Sequence, residues 1–195
     1  MLIRKIFKYL PLLIIFYSLS HTNQTEFEKN YGIKYLNHLE IEDLNFDKTN
    51  IDIYRDKNKE RRYTKKIKQN HMIPCNIKYI SPEIGYGLFT ARTIKNGEMI
   101  GEYTGILREW SKDTDGIYSW EYPPDDKYVI DSKQSGNQLR FVNHSYNPNV
   151  DCISVIIDDI CHLIYVANQT IKKDHQILVN YGKFYWENEK PVELN

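Results

Sequence analysis

The 195 residues carry 26 Lys and Arg against 26 Asp and Glu, a formal net charge of zero. That balance argues against a chain built chiefly to bind polyanions, although a local basic run is still compatible with it. The 41% hydrophobic content supplies apolar material for one core, and sixteen tyrosines fit a β-rich domain.

At the N-terminus Arg4, Lys5 and Lys8 precede an apolar run, Leu10–Tyr17, broken by Pro11, and Ser18-Leu19-Ser20 follows. A basic start, a short apolar centre and a small-x-small exit predict a secretory signal over residues 1–20. The run is too short for a comfortable membrane span, so no stable membrane insertion is expected once it is removed. The alternative is an uncleaved interfacial or membrane anchor. Residues 21–74 form a polar extension with few glycines, in which Leu36, Leu39 and Leu44 suggest some helical packing. Within it Lys57–Lys68, KNKERRYTKKIK, is dense in cations. Its ordinary reading is a solvated helix face, and its functional reading is a weak nucleic-acid contact.

From residue 75 the texture changes to short apolar stretches divided by turns. Ile77–Ile80 and Leu88–Ala91 read as strands, Asn96-Gly97 as a turn leading into EMIGEYTG, and KYVIDS as another strand. A hairpin turning near Asp158-Asp159 and the segment QILVNYG complete a mostly β, mainly antiparallel domain over 75–182, followed by a tail at 183–195. The three cysteines, Cys75, Cys152 and Cys161, form no Cys-x-x-Cys pair. On a two-residue turn Cys152 and Cys161 are not opposite one another, so no bridge is expected.

Several short motifs occur in order: GYGLFTA (Gly85–Ala91), GEYTG (Gly101–Gly105), YVID (Tyr128–Asp131), SGN (Ser135–Asn137), LRFVNHSYNPN (Leu139–Asn149) and ILVNYG (Ile177–Gly182). Alone, a Gly-x-Gly is a turn, and Asn-His-Ser is a polar loop. Together, over roughly 75–182, they resemble the SET domain, a protein-lysine methyltransferase fold. The resemblance implies small antiparallel sheets with a knot-like threading that brings RFVNHS and the C-terminal NYG segment together. It also implies S-adenosylmethionine as methyl donor and a protein lysine, on a histone or another protein, as substrate.

Methyl transfer to lysine requires a neutral amine, whereas free lysine has a pKa near ~10.4. A nearby sulfonium and an apolar channel both disfavour the ammonium form, so such a site needs positioning more than acid–base groups. By resemblance Tyr181 is the catalytic tyrosine and Tyr103 a second tyrosine at the reacting centre. Gly85, Tyr86, Gly87, Asn143 and His144 hold the donor, with Asn143 on its methionine portion and the glycines permitting close approach. Trp186 covers the adenine, and Tyr128 and Val179 belong to the substrate channel. Arg140 supports the loop. A hydroxyl at Val179 or near Cys152 would restrict methyl addition. Neither residue is a tyrosine, so more than one methyl is expected.

The chain departs from the family pattern at Tyr146, where Cys is frequent, at Gln176, where Glu is usual, and at Asn180, where Asp is frequent. No cysteine follows Cys161, so the resemblance comes without the zinc cluster many members carry, and no metal is expected. Export and a cytosolic methyl donor are reconciled by delivery into a host cell, with a host protein or host chromatin as target. Two alternatives stand beside this reading: a catalytically weak SET-like module that binds a peptide or partner, and an unrelated secreted β protein.

Overall fold

The computed structural model describes residues 24–42, 48–111, 116–182 and 185. The signal segment at 1–20, Leu44, Trp186 and nearly all of the 183–195 tail lie outside the described residues. The chain divides into two units, Met1–Tyr35 and Leu36–Asn195. In the first, helix α1 (24–31) sets the Phe27 ring 5.2 Å from Tyr31 and 5.1 Å from Tyr35. Glu28 on the same helix accepts the Tyr35 amide at 2.9 Å. The short strand β1 (Lys34–Tyr35) ends this unit.

The second unit opens with β2 (Glu40–Ile41), a 3-10 turn at Ile51–Tyr54 and helix α2 (Lys57–Lys68). Residues 36–42 are not helical. Leu36 is buried in an extended segment whose amide donates to Gly136 O at 3.0 Å, so the helical packing expected from Leu36 and Leu39 is not formed. Helix α2 starts at the N-cap Asp56, whose carboxylate accepts from the amides of Asn58 and Lys59 at 2.9 and 3.2 Å. Lys65, Lys66 and Lys68 complement the dipole of its last turn. Its two apolar residues, Tyr63 and Ile67, are four apart and share one face. Both are buried with Met99, Val155, Ile157, Ile164 and Val166. The helix is therefore part of the domain core and presents Lys57, Arg61, Lys65 and Lys68 to solvent.

The rest is β: β3 (Cys75–Ser81), β4 (Gly85–Thr90), β5 (Met99–Glu102), β6 (Ile106–Glu109), β7 (Ser119–Glu121), β8 (Tyr128–Asp131), β9 (Ser135–Gly136), β10 (Asn143–His144), β11 (Val150–Ile157), β12 (Ile160–Ala167) and β13 (Leu178–Val179). Strands β3 and β4 form one hairpin. Strands β11, β12 and β5 form a three-stranded antiparallel sheet, and β2, β6, β8 and β7 a four-stranded one. The β11–β12 turn falls at Asp158-Asp159, both with positive φ (50° and 59°), as a two-residue turn matched to strand twist requires. Cys152 pairs with Tyr165 and Cys161 with Ile156, and the three thiols are free. Among the described residues no helix is long and apolar enough to cross a membrane, and no group of three or more His, Cys, Asp or Glu is placed to hold a metal.

Candidate active site: an aromatic cleft beside a parallel strand pair

Strands β10 and β13, far apart in sequence, pair in parallel, with Asn143 opposite Leu178 and His144 opposite Val179. Asn149 secures this pairing. Its Oδ1 accepts the Leu178 amide at 2.9 Å and its Nδ2 donates to Gln176 O at 2.8 Å. Asn149 thus clamps the C-terminal segment, a role the sequence reading did not assign. Beyond β13 the Tyr181 amide donates to His144 Nδ1 at 3.1 Å, and the Tyr181 hydroxyl donates to Val142 O at 2.7 Å. Because Nδ1 accepts, the neutral imidazole carries its proton on Nε2. Burial holds the His144 pKa below its ordinary value.

The Tyr181 ring closes a cleft lined also by Tyr103, Trp120, Leu139, Arg140, Tyr165 and Tyr185. Tyr103 is buried and donates its hydroxyl proton to Tyr118 O at 2.6 Å. Burial pushes the phenols of Tyr103, Tyr165 and Tyr181 well above the usual tyrosine range, so all three stay protonated at working pH. The 3-10 turn Gln138–Phe141 brings Leu139 and Arg140 to the wall. It is capped by Asn137, whose Oδ1 accepts the Leu139 amide at 3.0 Å and whose Nδ2 donates to Glu102 O at 2.7 Å. Arg140 donates through Nε to Ser132 O at 2.8 Å and packs its guanidinium 3.8 Å from the centre of the Tyr118 ring. It is a support for the loop.

On the neighbouring face β4 brings Gly85, Tyr86 and Gly87 to Asn143, whose Nδ2 donates to Tyr86 O at 3.1 Å. Gly85 has φ +75°, and a Cβ on Gly87 would lie 2.6 Å from Ile80 Cδ1, 2.7 Å from Gln176 Nε2 and 3.2 Å from Asn143 Nδ2. Without a Cβ, Gly87 lets the side chains of Ile80, Gln176 and Asn143 close on this strand. The Asn143 Oδ1 takes no proton from the described residues and is free to accept from a bound ammonium or amide. This donor and acceptor set fits the polar end of the methyl donor implied by the resemblance.

Six of the expected residues, Gly85, Tyr86, Gly87, Asn143, His144 and Tyr181, are thus connected through β4, β10 and β13, and Tyr103 meets Tyr181 across the cleft. Tyr128, expected in the substrate channel, is buried in β8, inside the four-stranded sheet, and is not among the residues that line this cleft. Val179 is 1% exposed beneath the β10–β13 pair and is likewise absent from the lining. Trp120 and Tyr165 line the cleft without having been singled out, because neither belongs to a short motif. Tyr146, at one of the departures, sets its ring edge against His144 at 4.6 Å.

Residues 85–182 match the family model described as the SET domain. The histone-lysine N-methyltransferase trithorax of Drosophila virilis is 36% identical over 116 residues, 54% of this chain and 3% of that protein. Histone-lysine N-methyltransferase 2B of Homo sapiens is 33% identical over 111 residues, 53% of this chain and 4% of that protein. The matched region is thus a small part of these relatives. Among solved structures, the Chaetomium thermophilum polycomb repressive complex 2 superposes with a TM-score of 0.57 at 20% identity, covering 69% of this chain and 20% of the other. The same complex in an autoinhibited conformation bound to S-adenosylmethionine gives 0.54 at 22% identity, covering 60% and 16%. At such identity these two matches speak for the fold, while the family model accounts for half of the sequence. The chain belongs to the SET-domain family, that of the protein-lysine methyltransferases.

Proposed function

We propose that this chain is an S-adenosylmethionine-dependent protein-lysine N-methyltransferase acting on a lysine of a histone or another protein. The observation that carries the reading is the pairing of β10 with β13, which brings Asn143, bound through Nδ2 to Tyr86 O, and Tyr181, bound through its hydroxyl to Val142 O, to one short parallel ladder. The donor supplies an activated methyl group. The chain's own residues do the rest. Tyr103 and Tyr181 give their protons to backbone carbonyls, so their oxygens turn lone pairs to the cleft and accept from an incoming amine. The aromatic walls exclude water and disfavour the ammonium, favouring the neutral nucleophile. Positioning then supplies much of the acceleration.

Support for a histone as substrate comes from the names of the relatives in hand. Export by residues 1–20, with action on a host protein and in the host nucleus, is proposed from the N-terminal pattern alone. A weak nucleic-acid contact through α2 is proposed from the exposed Lys57, Arg61, Lys65 and Lys68. The test of the main reading is transfer of tritium from labelled S-adenosylmethionine to mixed core histones and to a host lysate by the purified chain. Label on lysine is the expected result. Donor or peptide binding without transfer would leave a SET-like binding module instead, and failure to bind the donor in calorimetry would overturn both.

A further inference from the structure

Arg140 lines the same cleft as Tyr103 and Tyr181, and it is 8% exposed. Its Nε donates to Ser132 O at 2.8 Å and its Nη2 to Lys133 O at 3.1 Å. Both acceptors are neutral carbonyls, and no carboxylate among the described residues is hydrogen-bonded to it. The guanidinium carbon lies 3.8 Å from the centre of the Tyr118 ring. Holding a loop needs hydrogen-bond donors, which a neutral side chain can supply. A buried charge costs free energy that a paired carboxylate ordinarily offsets. Burial pulls the Arg140 pKa below its ordinary range, yet a guanidinium stays protonated in a protein.

The charged groups around Arg140 leave a positive field. On β8 the carboxylate that faces it is Asp131. Arg108 of β6 binds the Oδ2 of that carboxylate, and the Lys133 amide donates to its Oδ1 at 2.8 Å. Two guanidiniums thus stand against one carboxylate, and of the three groups Arg140 is the one that lines the cleft. From the other elements the titratable groups facing Arg140 and the cleft are the phenols of Tyr103, Tyr118, Tyr165, Tyr181 and Tyr185, with the Cys152 thiol beside Tyr103 and Tyr165. None is a carboxylate. The charge is felt at the reacting centre: burial is what raises the Tyr103 phenol, and Arg140 pulls it the other way.

An amine entering this cleft meets that charge. A like charge disfavours the ammonium and leaves the neutral amine untouched. We propose that Arg140, besides holding its loop, lowers the basicity of the substrate lysine through its buried charge and so raises the fraction of neutral amine at the reacting centre. The inference rests on the methyltransferase reading. In the step so favoured the ammonium first loses its proton to solvent. The nitrogen lone pair then forms the bond to the methyl carbon as the donor's carbon–sulfur bond breaks. The electron pair of that bond stays on sulfur, and the positive charge passes to nitrogen.

The test is the pH dependence of single-turnover methylation of core histones by the full chain, with chain and labelled S-adenosylmethionine both saturating, from about pH 6.5 to about pH 10. Under those conditions the apparent pKa belongs to the bound complex. Arg140→Met keeps a long side chain and removes the charge. Its rate profile should move up by about one pH unit, so that the rate near pH 7.5 falls about tenfold and the gap to wild type closes toward about pH 10. A packing defect alone would lower the rate by one factor at every pH. That outcome, or a profile equal to wild type, overturns the inference while leaving the methyltransferase reading standing. Should Arg140→Met lose cooperative melting, Arg140→Gln replaces it, because its amide can still donate to a backbone carbonyl. The same shift is expected of it, and an unshifted profile overturns the inference. A wild-type chain that methylates nothing overturns the methyltransferase reading and this inference with it.

Discussion

The Tyr181 hydroxyl donates to the carbonyl oxygen of Val142 at 2.7 Å, which ties the C-terminal end of the domain to the residue immediately before Asn143. The bond orients the phenol and leaves its lone pairs for the cleft. Tyr181→Phe keeps the ring and removes the oxygen. Turnover should fall at least about tenfold, equivalent to about 1.4 kcal/mol of barrier, while donor affinity stays near wild type. Single-turnover kinetics beside donor titration measure both, and full turnover in the Phe variant would remove Tyr181 from the reacting centre.

Asn143 and Gly87 should act on the donor rather than on the chemistry. Asn143→Ala removes an amide placed against Tyr86 and should weaken S-adenosylmethionine binding by about 1.5–3 kcal/mol, the range for hydrogen bonds to charged groups. Gly87→Ala adds a Cβ within 3.2 Å of Asn143 Nδ2 and should displace that amide, lowering affinity in the same direction. Calorimetry decides both. Equal affinity with the fold intact would put Asn143 outside the donor site.

Gly105 is a packing glycine. A Cβ there would stand 2.5 Å from the Asp131 carbonyl oxygen, and that oxygen belongs to β8, paired with β6 in the four-stranded sheet, so it cannot yield cheaply. Gly105→Ala should cost about 1–3 kcal/mol, as overpacking does, and lower the Tm by several degrees. A melting curve indistinguishable from wild type would show that the sheet yields freely at this point.

His144 should link stability to pH. Burial depresses its folded pKa, and the unfolded value is near ~6.5. Above the unfolded value neither state holds the extra proton. Below it the unfolded chain binds a proton that the folded chain resists, so stability is lost as pH falls toward the folded pKa. Urea titrations from pH 7.5 to 5.5 should show the stability advantage of wild type over His144→Gln shrinking below about pH 6.5. A constant difference would mean that His144 titrates alike in both states.

Export is separable from all of this. Residues 1–25 fused to a reporter active only outside the cytosol should give signal, and a mature protein starting near His21 should be recovered. Full-length, membrane-bound chain would favour the anchor.

The local code was legible where chemistry and geometry are written in adjacent residues. The Asp158-Asp159 turn, the strands within Leu88–Ala91 and Tyr128–Asp131, and the motifs that carry Asn143, His144 and Tyr181 could all be read because a turn residue or a contiguous motif marks each of them. The hydrophobic pattern of α2 was too sparse to reveal that it is core. Two apolar residues among ten charged and polar neighbours look like a solvated helix until Met99, Val155 and Ile164 are seen beneath them. The wall of the aromatic cleft was less legible still. Trp120 comes from β7 and Tyr165 from β12, 45 residues apart, and their hydrogen bond exists only because separate sheets bring the two strands to one cleft. The parallel meeting of β10 and β13 belongs to the same class. Sequence determines which side chains can accept, donate or turn the chain, because these are properties of single residues and short windows. Which of several tyrosines line one cleft, and which partner each hydroxyl takes, is decided by long-range strand pairing, because those partners come from distant segments.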